Sequence, residues 1–221
     1  MEPEEQHDAG TWKVPGKSFF TPLNVMVIIA CCIPMVLTGS MLKRGARPPQ
    51  VIKPAPDFNL INQRGERVAT KDLLGKVWVG SFLFTHCPDV CPRTLQRLKG
   101  TKGWLEEKRP KHLQNFRFVG ISLDAQGDTP ETVERFLAGQ GHVSKQWDYL
   151  MDSKSLHPLM RDGFLLGVRE GTGGLAAAHS DRVVLVGKYG KIRGYYDLAT
   201  NEVLAQMHGH IDLLVKESPS P

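Results

Sequence analysis

The stretch VWVGSFLFTHCPDVCP, from Val77 to Pro92, decides the fold. Val77 to Phe84 is apolar and rich in β-branched and aromatic side chains, the composition of a strand buried on both faces. Cys87 and Cys91 follow in the turn after it. Pro92 stands where a first helical residue is expected, ahead of Leu95 and Leu98, because the N–H that proline lacks has no partner there. The run therefore reads as a strand that delivers a cysteine pair to the mouth of a helix. The partial positive charge of that helix end favours thiolate over thiol. Four positions apart, the sulfurs lie on one face of a helical turn. A pair so placed suits either a disulfide or a soft two-sulfur seat for Cu(I).

Outward from this stretch the elements follow in a definite order. The helix after Pro92 is expected to falter at Gly100 and Gly103. Phe116 to Ser122 (FRFVGIS) reads as a second strand. Thr129 caps a helix that opens on Pro130 and runs through Phe136. Trp147 to Met151 reads as a short strand, and Ser153 as the cap of a short helix toward Asp162. Arg182 to Val186 and Ile192 to Tyr196 flank a turn at Gly187 to Lys191, which makes a hairpin. Asn201 to Lys216 carries apolar residues at 203, 204, 207, 211 and 214, a helical stripe. Strand–helix–strand–helix, then a hairpin and a last helix, is the layout of a thioredoxin-like α/β domain, placed here at residues 56–217, with 218–221 a frayed tail.

Composition excludes some functions. The chain has 221 residues, 41% apolar and 23% charged, which is globular rather than disordered. Its formal net charge of +5 comes from Lys and Arg interleaved with Asp and Glu. No stretch forms the basic cluster with aromatic platforms that nucleic acid requires. The four cysteines are too few for a disulfide-stapled scaffold, so they serve local chemistry.

Ahead of the domain, residues 1–22 form a tail, and Leu23 to Leu42 is a span without a charged side chain. At a rise of about 1.5 Å per residue, it is long enough to cross a hydrocarbon core as a helix. Trp12, Phe19 and Phe20 before it, and Lys43, Arg44 and Arg47 after it, suit the two interfaces. The balance of flanking Lys and Arg slightly favours a cytoplasmic domain. Glu2, Glu4, Glu5 and Asp8, with no Arg, argue against a mitochondrial transit peptide and for a bacterial inner membrane. Cys31 and Cys32 read as small filler within the span. A lipoprotein cleavage box ending at Cys31 is the weaker alternative. Residues 43–55, with Pro48, Pro49 and Pro54, read as a stiff linker.

Several motifs together are similar to the SCO/SenC family of copper chaperones, which assist assembly of the copper centre of cytochrome c oxidase. These are Ala55-Pro56-Asp57-Phe58, Gly75-Lys76-Val77, Phe84 to Pro92, Ile121-Ser122-Leu123-Asp124, Asp128-Thr129-Pro130-Glu131, and His179-Ser180 before a strand. The resemblance spans roughly residues 50 to 215. It implies a membrane-anchored thioredoxin-like domain facing the periplasm, which sets the orientation. It also implies one copper ion, Cu(I) or Cu(II), held by Cys87, Cys91 and His179, and a redox-active disulfide between the two cysteines. Its partners would be the copper-bearing subunit of cytochrome c oxidase or a related acceptor, and a thiol reductant. A rival reading is a thiol–disulfide reductase that keeps the acceptor's cysteines reduced. A peroxidase would need a Thr/Cys/Arg constellation that is missing, and a zinc module would need a fourth ligand.

His179 gains support from its place before a strand expected beside the cysteine strand. No proline occurs between Leu159 and Ser218, so the proline that faces the cysteines in thioredoxins has no counterpart. His86 is expected to point away from the side of Cys87. His7, His112, His142, His157, His208 and His210 show no ligand spacing and are read as surface residues. Asp89, Asp124 and Asp128 are read as loop and cap residues.

Overall fold

The computed structural model describes Met26 and residues 47–142, 144–166 and 182–218. The chain divides into two units, Met1–Ala46 and Arg47–Pro221, and the fold below is that of the second. The expected span at 23–42, with Cys31 and Cys32, lies outside the described residues except for Met26, and so do His7 and His179. Among the described residues no helix is long and apolar enough to cross a membrane.

Strand β4 (Val77–Leu83) is buried along its whole length. It holds the centre of a six-stranded sheet made with β1 (Lys53–Pro54), β5 (Phe116–Ser122), β6 (Trp147–Leu150), β7 (Arg182–Val186) and β8 (Lys191–Asp197), in the order β1-β8-β7-β4-β5-β6. β4, β5 and β6 run parallel, and β7 returns antiparallel beside β4 with Ser81 opposite Val183. A second, two-stranded sheet pairs β2 (Asn59–Ile61) with β3 (Arg67–Ala69). Side chains alternate across the sheet, as the pleat demands. Val77, Val79, Phe116, Phe118, Val183 and Leu185 join one core with the helices α1 (Val90–Lys108), α2 (Pro130–Gly139) and α3 (Asn201–Lys216). Trp78, Phe82, Val119, Ile121 and Val184 join a second core with Phe58, Leu60, Met160 and Phe164 on the other face. With apolar packing on both faces, a continuous apolar run replaces the alternating pattern of a half-solvated strand.

α1 passes through Gly100 and Gly103 without a break, against expectation. A Cβ at either glycine would meet nothing, so both face open space, while Leu95, Leu98 and Leu105 are fully buried. Each glycine costs about 1 kcal/mol of helix propensity, less than the roughly 2 kcal/mol that burying one leucine contributes. The helix also opens at Val90, so Pro92 is its third residue, still inside the turn whose N–H groups lack helical acceptors. Ser153 caps no helix. Its hydroxyl donates to Asp152, the helical turns begin later, at His157, and Leu159–Gly163 forms a π turn. Thr129 and Thr200 do cap α2 and α3, each accepting from the N–H three residues on.

The proline-rich stretch expected as a linker is extended, and it is docked to the domain. Ile52 N–H donates to the Ile192 carbonyl at 2.9 Å, and Ala55 N–H to the Gly190 carbonyl at 2.9 Å. Buried Arg193 donates from Nε to the Pro49 carbonyl at 2.7 Å and grips Glu217, just past α3, through both terminal nitrogens. Gly190 has φ +64 in the β7–β8 turn, a conformation that favours glycine.

Among the histidines read as surface residues, His142 is buried at 3% exposure against the Trp147 ring, and neither ring nitrogen has a partner. Burial, with help from the cations of Lys99 and Lys102, lowers its pKa to about 4. The folded state therefore holds a neutral imidazole. Its stability is complete above the unfolded pKa near 6.5 and declines as pH falls from there toward 4, by up to about 1.4 kcal/mol per pH unit. Urea unfolding midpoints measured between pH 7 and 4 should fall more steeply for the wild type than for His142→Phe. Equal slopes would show that the ring takes no part in acid lability.

Candidate metal and redox site

The site grows from the C-terminal end of β4. Leu123 N–H donates to the Leu83 carbonyl at 2.9 Å, which carries the β4–β5 pairing one step past the strands. The chain then turns, with Cys87 N–H donating to the Phe84 carbonyl at 3.2 Å, and enters α1. Cys87 and Cys91 are both buried thiols. Cys91 N–H donates to the Cys87 sulfur at 3.4 Å. Asp89, at the N-cap position, caps nothing with its side chain, which instead pairs with Arg93 at 3.3 Å. A sulfur thus accepts one of the donors that a helix start leaves open, and Pro92 removes another.

The expected thiolate bias of the helix end does not govern Cys91. Burial pushes the Cys91 thiol well up, and the neighbouring Cys87 and the Asp128 charge push it the same way, against a bond with the Phe84 backbone. Desolvation in an apolar pocket outweighs the helix dipole, whose effect is typically below a pKa unit. Cys91 keeps its proton in the reduced protein.

Asp128, read from sequence as a loop or cap residue, holds the site together. It is 6% exposed, and no Lys or Arg is bonded to it among the described residues. Four donors reach it instead. Thr85 N–H and Oγ–H donate to Oδ1 at 3.0 and 2.7 Å, and Ser122 Oγ–H and Tyr149 Oη–H donate to Oδ2 at 2.6 and 3.0 Å. Burial beside this carboxylate raises the Tyr149 pKa far above its ordinary value, so the phenol stays a donor. The network joins the chain two residues before Cys87 to the ends of β5 and β6. Its sequence signal was faint, a polar residue at the end of each of three apolar strands.

His86 is exposed, with Nδ1 3.2 Å from Thr85 Oγ1 and 3.9 Å from Asp124 Oδ2. One ligand atom each of His86, Asp124 and Asp128 lie within 4.8 Å of one another. Since Asp128 already serves four donors, and carboxylates are poor partners for a soft cation, this group reads as an acidic flank of the cysteine loop. His208 stacks on Trp104, and His210 accepts from or donates to Tyr196, so both belong to the packing of α3. His179 lies outside the described residues. β7, which follows it in sequence, begins beside the end of β4 that leads to Cys87.

Asp128→Asn removes the charge and leaves two donors facing an NH2 group, either those of Thr85 or those of Ser122 and Tyr149. The variant should lose on the order of 1–3 kcal/mol of stability in urea unfolding. Thiolate absorbance of the reduced protein should also rise at lower pH, because the anion beside Cys91 is gone. An unchanged thiol titration would show that the carboxylate does not act on the sulfur.

A model of the SCO1/SenC family matches residues 47–212. Among solved structures, BsSco, a member of the Sco family of cytochrome c oxidase assembly proteins in which a disulfide switch was identified, superposes with a TM-score of 0.67 at 21% identity, over 79% of this chain and 100% of its own. A SCO1/SenC family lipoprotein of Bacillus anthracis gives 0.65 at 25% identity, over 77% and 99%. Copper-bound ScoI of Bradyrhizobium japonicum gives 0.55 at 23%, over 69% and 96%. The thioredoxin-like order read from the sequence is the fold of these proteins. On the family match, which covers most of the chain, and on a cysteine loop mounted as described, the chain belongs to the SCO1/SenC family.

Proposed function

We propose that the chain carries one copper ion as cargo, bound by Cys87, Cys91 and His179, and passes it to the copper centre of cytochrome c oxidase or a related acceptor during assembly. Residues 1–22 are a tail and 23–42 an anchor in a bacterial inner membrane. Residues 43–55 lead to a domain at 56–217 on the periplasmic side, and 218–221 end the chain. The observation that carries this reading is the pair of buried cysteines one helical turn apart after the end of β4, with Cys91 N–H on the Cys87 sulfur at 3.4 Å. Two sulfurs and an imidazole suit Cu(I), and a three-ligand site leaves a face through which an acceptor's ligand replaces one of the donors. The copper-bound state of ScoI and the lipoprotein character of the Bacillus anthracis relative support the cargo and the membrane attachment.

Because Cys91 holds its proton when reduced, taking up a cation releases that proton, and affinity must rise with pH. A second reading rests on the same contact. Cys87 and Cys91 would close a disulfide, giving two electrons and two protons to a disulfide in the acceptor, and a thiol reductant would reset them.

Metal analysis of the reduced chain should find one copper, and competition with a Cu(I) chelator should show affinity rising between pH 6 and 8. Cys87→Ser, Cys91→Ser and His179→Ala should each lower affinity by about a hundredfold or more. If His179→Ala binds copper as the wild type does, the imidazole is no ligand. If it loses copper yet still matures the oxidase in cells, the reductase reading replaces the carrier.

A further inference from the structure

The two ends of the sheet differ in exposed apolar surface. The end that carries the cysteine loop has Asp89, Asp124, Asp128 and Asp152 after the strands that finish there and Asp197 as the last residue of β8, with Arg93 paired to Asp89 and Arg182 opposite Asp197. The other end gathers the approach to β4, the β7–β8 turn and the last turn of α3. Gly75 N–H donates to the Lys188 carbonyl at 2.8 Å, and Lys188 Nζ to the Val215 carbonyl at 2.9 Å. Leu74 and Tyr189 stand out there at 54% and 42% exposure, and Leu74 lies over Gly190. Val51 and Ile52 continue the apolar surface along the docked segment at 55% and 50%. In the domain unit only Ile61 and Leu165, among the large apolar side chains described, are comparably exposed elsewhere. Lys71, Lys76, Lys188, Lys191 and Lys216 belong to the segments that meet there, Lys188 bonded to the Val215 and Glu217 carbonyls and Lys216 paired with Asp212. Of the acids nearby, Glu217 is gripped by Arg193, Asp212 pairs with Arg109 and Lys216, and Asp72 accepts the Ala69 N–H.

We infer that this end is a docking surface for an anionic lipid bilayer and holds the cysteine end away from the membrane. Leucine and tyrosine side chains ringed by lysines are the set that settles at a headgroup layer, with the aliphatic stems buried and the ammonium groups on lipid phosphates. The inference rests on the anchored reading, since the tether sets the geometry. Only residues 43–48 separate the expected span from Pro49, which Arg193 fixes at this end of the sheet. Six residues reach about 20 Å at most, so the surface cannot stand far from the headgroups. The cysteine end, on the opposite edge of the sheet, then faces outward to its acceptor.

The test uses the full chain in nanodiscs of phosphatidylcholine, with and without phosphatidylglycerol, read by hydrogen exchange and gel filtration. In discs containing phosphatidylglycerol the amides of 71–76 and 187–192 should exchange about threefold more slowly or better than in phosphatidylcholine alone, and those of 84–91 should not change. Lys71→Glu with Lys191→Glu, and separately Leu74→Ser with Tyr189→Ser, should abolish the difference. Retention on both discs with no such difference, or with protection at 84–91 instead, overturns the surface and leaves the anchor standing. Elution free of phosphatidylcholine discs with retention on phosphatidylglycerol discs overturns the anchor and upholds the surface. Elution free of both overturns both. Protection of the same amides without lipid, growing with protein concentration, assigns the patch to a second copy and overturns the lipid surface.

Discussion

The Asp128 carboxylate is buried, carries a charge, and is balanced by hydrogen bonds alone. Burying such a group without compensation would cost several kcal/mol. Four donors from Thr85, Ser122 and Tyr149 offset that cost, each bond to a charged acceptor contributing about 1.5–3 kcal/mol. The donors come from three separate segments, and none of them has its bond unless all three strands end where they do. The carboxylate therefore sets where β4, β5 and β6 stop relative to one another. Fixing Thr85 by both its N–H and its hydroxyl fixes the chain two residues before Cys87. The cysteine loop gains its precision from this clamp more than from its own turn.

The helix start is arranged to complement the clamp. α1 opens with no hydroxyl or carboxylate cap, and the Cys87 sulfur takes the N–H of Cys91. Pro92, the third residue of the helix, withholds a further donor. The burial that brings the two cysteines together also keeps Cys91 protonated. In the reduced protein Cys91 is a neutral thiol in an apolar pocket rather than an exposed nucleophile, which slows its oxidation. Chemistry begins when something removes that proton.

Most of the frame was legible in the sequence, for physical reasons that differ by element. β5 and α3 have their expected bounds because a fully apolar run and a helical stripe leave little freedom of register. Thr129-Pro130 marks the start of α2 through cap chemistry alone. What failed was propensity read in isolation. Gly100 and Gly103 looked like breaks because their cost is visible in sequence and the burial of Leu95, Leu98 and Leu105 is not. The prolines before Asp57 gave the extended backbone correctly and concealed its pairing with β8, which depends on an edge made much later in the chain. The cysteine pair announced itself by spacing. Asp128 did not, since a loop aspartate and a buried hub are the same letter, told apart only by where Thr85, Ser122 and Tyr149 end up. His142 was misplaced for the same reason.

The direction of the strands explains why site and charge sit as they do. Three parallel strands end together, and their loops converge where no strand begins except β7, so the C-terminal edge of the sheet is the natural place for a site built from several segments. Helix N-termini face that edge too, and their partial positive charge accommodates acids there. Asp124 and Asp128 thus bring carboxylates beside the cysteine loop. The division of labour follows from the chemistry. Carboxylates attract any cation but bind a soft one poorly, whereas thiolates bind a soft cation and repel little else. Under the proposed carrier function, carboxylates beside the sulfur pair would raise the local concentration of cations, and the sulfurs would decide which cation stays.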